Sequence, residues 1–227
     1  MSPLRVSAVE YLNARPLVHG LEARADLFDL QFDIPARCAA QLHDGSVDLG
    51  LIPSIEYLQG SDYQIVPDLA VASEGEVASV ALDTDPKLVK LRPDLPVMLK
   101  RCDAALVIGD AALFFDYESQ GLDKVDLGDE WTAMTSLPFV WAMWVGRANA
   151  VSPDHVAALQ AACASGVQAS DEIVARHCPG DEEQIEVGRR YLRENVSFAL
   201  DERTLAGLKK FYEYVYGLRL VPTRTDL

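Results

Sequence analysis

The chain has 227 residues, of which 49% are apolar, and its formal net charge is −15. That apolar fraction is ample for the packed core of one large domain or two small lobes. The excess of acidic residues, without any basic cluster, argues against a nucleic-acid partner and against an anionic membrane surface. No apolar run approaches the ~18 residues of a membrane span, and the first residues show no signal-peptide pattern, so we expect a cytoplasmic protein.

The cysteines and histidines show no metal-binding pattern. Cys38, Cys102, Cys163 and Cys178 are scattered without a CxxC pair, and the four histidines form no HxxxH or HxH set. Reduced thiols with structural roles are the expected state in a cytosol, and we expect no metal site.

The first candidate site lies where the opening strand turns into a helix. The apolar run from Val6 to Val9 predicts the strand. Pro16 suits the first turn of the following helix, because its nitrogen needs no partner there. Tyr11 and Asn13 are then expected at the carboxyl end of the strand, where open α/β sheets bind anions and small molecules. The alternative, and the more frequent case, is a strand–helix connection that binds no ligand.

Two further strand-to-helix turns repeat this arrangement. The strand predicted at 47–52 ends before Ser54, and the strand at 103–108 turns into a helix at Gly109 and Asp110. Since neighbouring turns share one edge of a sheet, Ser54 is expected on the same rim as Asn13. For Ser54 and for Asp110, a helix N-cap without any ligand is the alternative, and the more frequent one.

The order of the elements predicts an α/β protein with two lobes and a cleft between them, a common place for ligands. An extended crossing near residues 73–80 leaves the first lobe, and the apolar run at 137–145 returns to it. We therefore expect the first lobe at 1–77 and 141–227, and the second at 78–140. The C-terminal region is predicted to be helical, over residues 153–166, 170–178, 181–195 and 201–217.

Familiar catalytic and nucleotide-binding motifs are absent from the sequence. It contains neither GxxxxGK[ST] nor GxGxxG, so nucleotides and NAD are poor hypotheses for the ligand. It contains no GxSxG elbow and no paired Cys-His motif. Motifs alone therefore indicate only a cleft-forming α/β protein.

Two stretches fit a regular α/β sheet poorly. The strand predicted at 77–84 is followed at once by another at 85–91 and a short helix at 93–101, whereas parallel strands need a crossover of about a dozen residues. Earlier in the chain, Pro67 argues against a central strand over residues 63–71.

Five segments, which cover nearly the whole chain in order, resemble the chorismate dehydratase family of the futalosine route to menaquinone. They are Tyr11-Leu-Asn-Ala-Arg-Pro16, Ile52-Pro-Ser-Ile-Glu-Tyr57, Val77-Ala-Ser-Val80, Ile108-Gly-Asp-Ala-Ala-Leu113 and Leu137-Pro-Phe-Val140, the last followed by Trp144. The resemblance implies an α/β, two-lobed periplasmic-binding-protein-like (type II) fold with a ligand cleft between the lobes. It also implies a cytoplasmic enzyme that converts chorismate to 3-[(1-carboxyvinyl)oxy]benzoate and water, with no metal or organic cofactor. Chorismate is the partner it implies; the oligomeric state stays open, a homo-oligomer included.

The chain departs from the family pattern within the second lobe. After Ala81-Leu-Asp-Thr84, the family has a serine- and threonine-rich turn and a helix that are not found here, so this lobe is shortened near residues 80–85. Either the lobe has lost a part, or residues are omitted from the sequence. We favour omission, because the loss would leave a parallel sheet without its crossover.

The resemblance also implies which residues bind and convert the substrate. Asn13 would orient the substrate near the reacting carbon, and Ser79 would donate a hydrogen bond to a carboxylate or hydroxyl. Tyr11 would stack on the ring and Ser54 would hold a carboxylate. Arg15 would neutralise a carboxylate, although a surface charge is an equal alternative. The opposite lobe would contribute Gly109, Asp110, Thr135, Ser136 and Phe139.

No clear general base stands among these motifs. Asp110, Glu56 and His19 are candidates, each with a structural alternative. If the protein supplies no base, the substrate's own enolpyruvyl carboxylate would accept the proton. Two other functions stay open: a non-catalytic binding protein for a small carboxylate, and the later naphthoate-forming enzyme of the same pathway. The Ser-Pro-Cys-Pro-Asn-like opening expected of the latter is not found here.

Overall fold

A computed structural model describes residues 2–83, 105–119 and 123–221 of the chain. Nine strands lie in the described residues: β1 Leu4–Val9, β2 Phe28–Asp33, β3 Leu49–Pro53, β4 Tyr63–Ser73, β5 Val80–Asp83, β6 Ala105–Ile108, β7 Lys124–Asp126, β8 Phe139–Arg147 and β9 Ser197–Leu200. The α-helices of the same residues are α1 Pro35–Asp44, α2 Asp110–Leu113, α3 Leu127–Thr135, α4 Pro153–Gln168, α5 Ser170–His177, α6 Glu182–Arg190 and α7 Glu202–Gly217. Shorter helical segments are the 3₁₀ helices Leu12–Val18, Leu21–Ala23 and Ser54–Gln59 and the π-helical turn Tyr191–Asn195.

The strands form two separate sheets. The larger has the order β2-β1-β3-β8-β4-β9, in which β1 runs parallel to β2 and β3 and the other pairs are antiparallel. The smaller has the order β6-β5-β7, and both of its pairs are antiparallel. The larger sheet takes its strands from both sides of the smaller one in the sequence, so the chain crosses between the sheets twice. The lobe boundaries at 77/78 and 140/141 stay a prediction.

The core of the larger sheet fixes the position of the 3₁₀ helix that follows β1. Val6 and Ala8 on β1 are fully buried, and so are Leu12 and Leu17 on the 3₁₀ helix that follows. Helix α4 packs against that 3₁₀ helix so closely that a Cβ at Gly166 would lie 2.2 Å from the carbonyl oxygen of Pro16. The position of the 3₁₀ helix is therefore set by backbone contact as well as by apolar burial.

The helices of the C-terminal region follow the prediction closely. Helices α4, α5 and α7 occupy the predicted segments, and the segment 181–195 is α6 followed by the π-helical turn. Helix α7 buries Leu208, Tyr212 and Val215, which recur at helical spacing and explain why the prediction succeeds. The predicted strand at 85–91 and helix at 93–101 lie outside the described residues, as does most of the stretch in which the second lobe is expected to be shortened.

Three local expectations were wrong, and one strand was missed. Strand β4 lies between β8 and β9, so it is not an edge strand. Pro67 is accommodated at a register shift between Ile65 and Ala70, where no regular ladder bond is required. Strand β9 was not predicted, because four residues carry little periodic signal. The segments after Tyr11 and Pro53 are 3₁₀ rather than α-helical. The described strands of the smaller sheet pair antiparallel, so the argument from a parallel crossover does not apply to them.

The cysteines are internal in the described part of the chain. Cys38, Cys163 and Cys178 are buried and form no disulfide, and Cys102 lies outside the described residues. Burial raises the pKa of the Cys163 thiol to about 11, so this thiol stays protonated near neutral pH. Among the described residues, no group of histidines, cysteines and carboxylates is arranged to hold a metal, and no helix has the length and apolar character to span a bilayer.

One buried carboxylate joins the first crossing to the smaller sheet. Asp126, at the end of β7, accepts hydrogen bonds from the backbone N–H groups of Val77 and Ala78 at 3.0 and 2.8 Å. The same side chain caps α3 by accepting from the N–H groups of Gly128 and Asp129 at 2.9 and 3.2 Å. A single side chain thus satisfies four backbone donors, and those of Val77 and Gly128 lie in buried hydrogen bonds.

We expect Asp126→Ala to lower the free energy of unfolding by about 3 kcal/mol, because it removes a helix cap and leaves the N–H groups of the crossing unpaired. The matched control is Asp201→Ala. Asp201 caps α7 through Thr204 alone, so its loss should cost about 1 kcal/mol. Urea denaturation followed by circular dichroism measures both. Equal losses in the two variants would contradict the special role of Asp126.

Candidate functional site

A cavity of about 180 Å³ lies between the two sheets. Apolar side chains of the larger sheet line one side, among them Val9, Leu51 and Val71, and Val80 and Ile108 of the smaller sheet line the other. The volume is below the range of drug-sized pockets, so the cavity suits a small molecule. It lies at the carboxyl ends of β1 and β3, the adjacent parallel strands of the larger sheet.

Polar groups enter this cavity from three places in the sequence. Tyr11 and Asn13 come from the turn after β1, Ser79 from the first crossing, and Gly109 from the turn after β6. Trp141 of β8 also lines it, with its indole N–H donating to Ser73 at 3.0 Å. No charged side chain lines the cavity in the part of the chain that the structure describes, so the contacts available to a ligand here are neutral donors, acceptors and ring faces.

The crossing that carries Ser79 has an unusual backbone. Ala78 has φ of +61°, and the N–H of Ser79 donates to the carbonyl of Val77 at 2.7 Å, which closes a γ-turn. A γ-turn with positive φ at a residue other than glycine is strained and occurs where the surroundings enforce it. Asp126 supplies that enforcement through its bonds to Val77 and Ala78.

Ser79 is held on both sides. Its carbonyl accepts from the N–H of Gly109 at 2.8 Å, which ties the crossing to the turn after β6. Its hydroxyl lies 2.7 Å from the hydroxyl of Tyr191, and both side chains are buried. The Asn13 side chain lies near enough to the same Tyr191 hydroxyl to lower its pKa. Ser79 and Asn13 thus meet at one buried tyrosine.

Tyr191 is neutral at ordinary pH. Burial raises the pKa of its hydroxyl, and this outweighs the interactions with Ser79 and Asn13, which act in the opposite direction. A neutral phenol can donate one hydrogen bond and accept others. The Tyr191 side chain is therefore a fixed polar contact for the two predicted catalytic residues rather than a source of charge.

Tyr11 lies directly against Gly109. A Cβ at Gly109 would be 2.6 to 2.7 Å from three atoms of the Tyr11 ring, and Gly109 has φ of +69°. Both the close approach and the backbone angle require glycine at this position. The contact joins the turn after β1 to the turn after β6 and closes one side of the cavity.

The structure brings four of the predicted site residues together: Tyr11, Asn13, Ser79 and Gly109 all line the same cavity. Their predicted roles toward a substrate stay predictions. Open α/β sheets bind ligands at the carboxyl ends of their strands. Tyr11 and Gly109 follow such strand ends, and Ser79 lies in the crossing between the sheets.

Ser54 and Asp110 are placed near the cavity but have structural partners. Ser54 is buried, and its carbonyl accepts from the hydroxyl of Tyr212 at 2.7 Å. Asp110 accepts from the N–H of Leu12 at 3.0 Å and from His177 at 2.7 Å, and so ties α2 to the 3₁₀ helix after β1 and to α5. The helix-cap alternative for these residues was wrong, since Pro53 and Gly109 occupy the N-cap positions.

The other predicted residues lie elsewhere. Arg15 donates to the carbonyl of Glu10 at 2.8 Å, lies over the ring of Phe32, and lines a separate cavity of about 380 Å³. Thr135 donates to the carbonyl of Trp131 at 2.8 Å near the end of α3. Ser136 follows it in the left-handed conformation, and its carbonyl accepts from Arg203.

Phe139 does not itself line the cavity but belongs to an aromatic cluster beside it. Its ring lies 4.4 Å from that of Trp141, 4.9 Å from Phe211 and 5.1 Å from Trp131, measured between ring centroids. It supports Trp141, which does line the cavity. A larger groove of about 780 Å³ along α4, α5 and β9 contains none of the predicted site residues, so we do not assign the site there.

Two lining or supporting residues escaped the sequence analysis. Tyr191 lies 112 positions from Ser79, within a segment that is predicted only as a helix, and no local pattern marks it. Trp141 follows the buried Val140 on β8, so strand geometry could have placed it on the face opposite Val140.

Comparison with known proteins gives a family match and structural neighbours. A family model described as menaquinone biosynthesis matches residues 4–92 and 81–217. Both ranges include residues 81–92, next to the place where the second lobe is expected to be shortened. A solved structure of a protein from Archaeoglobus fulgidus is 18% identical with a TM-score of 0.77, and the alignment covers 97% of this chain and 99% of that one.

Two further neighbours describe the fold. The periplasmic aliphatic sulphonate binding protein of Escherichia coli is 14% identical with a TM-score of 0.60, over 100% of this chain and 90% of that chain. A Candida albicans protein described as having the generic periplasmic binding protein fold is 12% identical with a TM-score of 0.62, over 100% and 92%. The predicted periplasmic-binding-protein-like α/β fold is confirmed.

We expect Gly109→Ala to destabilise the protein by about 1–3 kcal/mol more than Gly180→Ala, because only the first places a methyl group against Tyr11. Gly180 is the matched control: it also has positive φ, at +78°, but a Cβ there meets nothing within 4 Å. Urea denaturation of each variant, repeated in a Tyr11→Ala background, measures the coupling. If the excess persists without the Tyr11 ring, the contact does not explain it.

Proposed function

The chain belongs to the menaquinone biosynthesis family, and we propose that it acts there as a chorismate dehydratase. The observation that carries the proposal is the convergence of Asn13, Ser79 and Tyr11 on one neutral, largely apolar cavity between the sheets. The reaction is the loss of water from chorismate to give 3-[(1-carboxyvinyl)oxy]benzoate, which classes the enzyme as a carbon–oxygen lyase.

The chemistry of the reaction explains what such a cavity must supply. A proton leaves the ring carbon that bears the enolpyruvyl ether, and the hydroxyl leaves the neighbouring carbon. The electron pair of the broken C–H bond becomes part of the aromatic ring, and the proton and the hydroxyl together make the water released. Charge that develops before the hydroxyl departs spreads into the ring carboxylate. Fixed neutral donors in a dry site stabilise such charge without reorganisation.

The lining residues suit these tasks. Tyr11 and Trp141 offer ring faces, and Val9, Leu51 and Val71 offer an apolar wall for a six-membered ring. We assign to Asn13 the orientation of the substrate near the reacting carbon. We assign to Ser79 a hydrogen bond to a carboxylate or to the departing hydroxyl.

The proton acceptor is proposed to be the substrate's enolpyruvyl carboxylate. None of the described lining residues is a carboxylate, a histidine, a lysine or an arginine. The three candidate bases do not line this cavity. Asp110 accepts hydrogen bonds from Leu12 and His177, and Glu56 accepts from His43 at 3.1 Å. His19 lines the separate cavity that contains Arg15.

A second candidate function is a non-catalytic binding protein for a small carboxylate. It is favoured by the fold, which is shared with a sulphonate-binding protein at a TM-score of 0.60. A fold hosts many functions, so this likeness alone cannot decide between binding and turnover. The assay that separates them is direct: purified protein is mixed with chorismate, its absorbance is followed, and the product is identified by mass. Binding without the loss of one water would establish the second candidate and refute the first.

We expect Asn13→Ala and Ser79→Ala each to lower kcat for chorismate about 10²–10³-fold, as removal of one fixed donor to developing charge does. Ser61→Ala, at an exposed position outside the cavity, is the matched control and should keep wild-type kcat. Steady-state kinetics by absorbance measures all three. Wild-type kcat in either cavity variant would remove that residue from the mechanism.

The proposal that the substrate supplies its own base has a separate consequence. Asp110→Asn, Glu56→Gln and His19→Gln should each retain kcat within about tenfold of wild type, whereas the loss of a general base costs about 10²–10⁴-fold. The same absorbance assay applies, with chorismate binding by calorimetry as the control for folding. A variant that still binds chorismate but no longer converts it would identify the missing base and overturn this part of the proposal.

A further inference from the structure

We propose that Tyr191 is a positioning residue that fixes the direction in which Ser79 donates its hydrogen bond. The Tyr191 hydroxyl donates to the Ser79 oxygen, and the Ser79 hydrogen is thereby left to point at the ligand. This inference rests on the proposed function, because it concerns how Ser79 meets the substrate.

The geometry of the pair supports this role. The two oxygens are 2.7 Å apart, Ser79 and Tyr191 are each 1% exposed, and the bond spans 112 positions of sequence. Buried hydroxyl pairs of this length are full hydrogen bonds, and one partner must be the donor. Each hydroxyl carries a single hydrogen, so the direction of the bond decides what Ser79 can offer to the cavity.

The two directions have different consequences for an anionic ligand. If Ser79 donates to Tyr191, its remaining lone pairs face a carboxylate and repel it. If Tyr191 donates to Ser79, the Ser79 hydrogen is available to the carboxylate or to the departing hydroxyl. Because chorismate carries two carboxylates, the second direction is the one that binds it.

Asn13 acts on the same hydroxyl. Its side chain lowers the pKa of Tyr191, as a donor that faces the phenol oxygen does. Hydrogen bonds aligned in one direction polarise one another, so a donor on this side strengthens the bond from Tyr191 to Ser79. Tyr191 itself does not line the cavity.

The backbone on both sides is irregular at this contact. Tyr191 is the first residue of the π-helical turn that follows α6, and Ser79 follows the γ-turn at Ala78. π-Helical turns inside helices occur frequently at functional sites, and strained γ-turns persist where the surroundings enforce them. Two such segments bring the two hydroxyls within bonding distance.

The test is Tyr191→Phe, which keeps the buried ring and removes only the hydroxyl. We expect kcat for chorismate to fall about 10- to 100-fold with KM within about threefold of wild type, since Ser79 loses its fixed direction. Tyr212→Phe is the matched control: it removes the hydroxyl of another buried tyrosine, one that donates to the Ser54 carbonyl and does not line the cavity. It should leave kcat unchanged.

A double-variant cycle and a pH profile complete the test. In a Ser79→Ala background, Tyr191→Phe should have less than about a twofold effect, because it acts through Ser79. Wild-type kcat should show no loss with an apparent pKa near 10, the value of an ordinary tyrosine. Such a loss, if it vanished in Tyr191→Phe, would mean that the Tyr191 hydroxyl titrates, and it would overturn the inference without depending on how the variant folds.

The outcomes separate this inference from the proposed function. If the wild-type protein does not convert chorismate, both fail together. If it does, then wild-type kcat in Tyr191→Phe, an equal loss in Tyr212→Phe, or full additivity with Ser79→Ala overturns the role of Tyr191 alone.

Discussion

The buried carboxylate of Asp126 is the contact on which the rest of the site depends. It accepts four backbone N–H groups, two from the first crossing and two from the start of α3, so it fixes the smaller sheet to the segment that leaves the larger one. A hydrogen bond to a charged acceptor is roughly twice as strong as one between neutral groups. Without this clamp the γ-turn at Ala78 would relax, and Ser79 would lose the position from which it faces the cavity.

A neutral cavity in a strongly acidic protein needs explanation. The chain carries a formal net charge of −15, so an anionic ligand approaches against the overall field. Screening limits that field to about 10 Å at ordinary ionic strength, whereas contacts within a desolvated cavity are screened much less. Short hydrogen bonds from Asn13 and Ser79 can therefore outweigh the distant charges. The same neutrality keeps carboxylate side chains of the protein from competing for the donors.

What the sequence could predict follows from the range of each signal. The spacing of apolar residues in α7 and the turn after β1 are local signals, and both elements were predicted from them. The family motifs predicted that Asn13, Ser79 and Gly109 belong to one site, and all three line the same cavity. Tyr191 was not predicted, because its partner is 112 positions away and a buried tyrosine in a helical segment has no distinctive pattern. Thr135 and Ser136 lie at the end of α3 rather than in the cavity, because the helix continues to Thr135 and turns in the left-handed conformation at Ser136. Only tertiary packing decides whether the end of α3 faces the cavity.

The fold and the site carry different information about function. The periplasmic-binding-protein-like fold is shared with a protein described as binding aliphatic sulphonates, and one fold can host many functions. A binding protein needs donors that satisfy the bound ligand, whereas a dehydratase needs donors that interact more strongly with charge as it develops. A hydroxyl whose direction is fixed by a buried neutral neighbour meets the second requirement, because it cannot rotate to suit the ground state. The distinction that we propose between the two functions thus rests on the Tyr191–Ser79 contact rather than on the architecture around it.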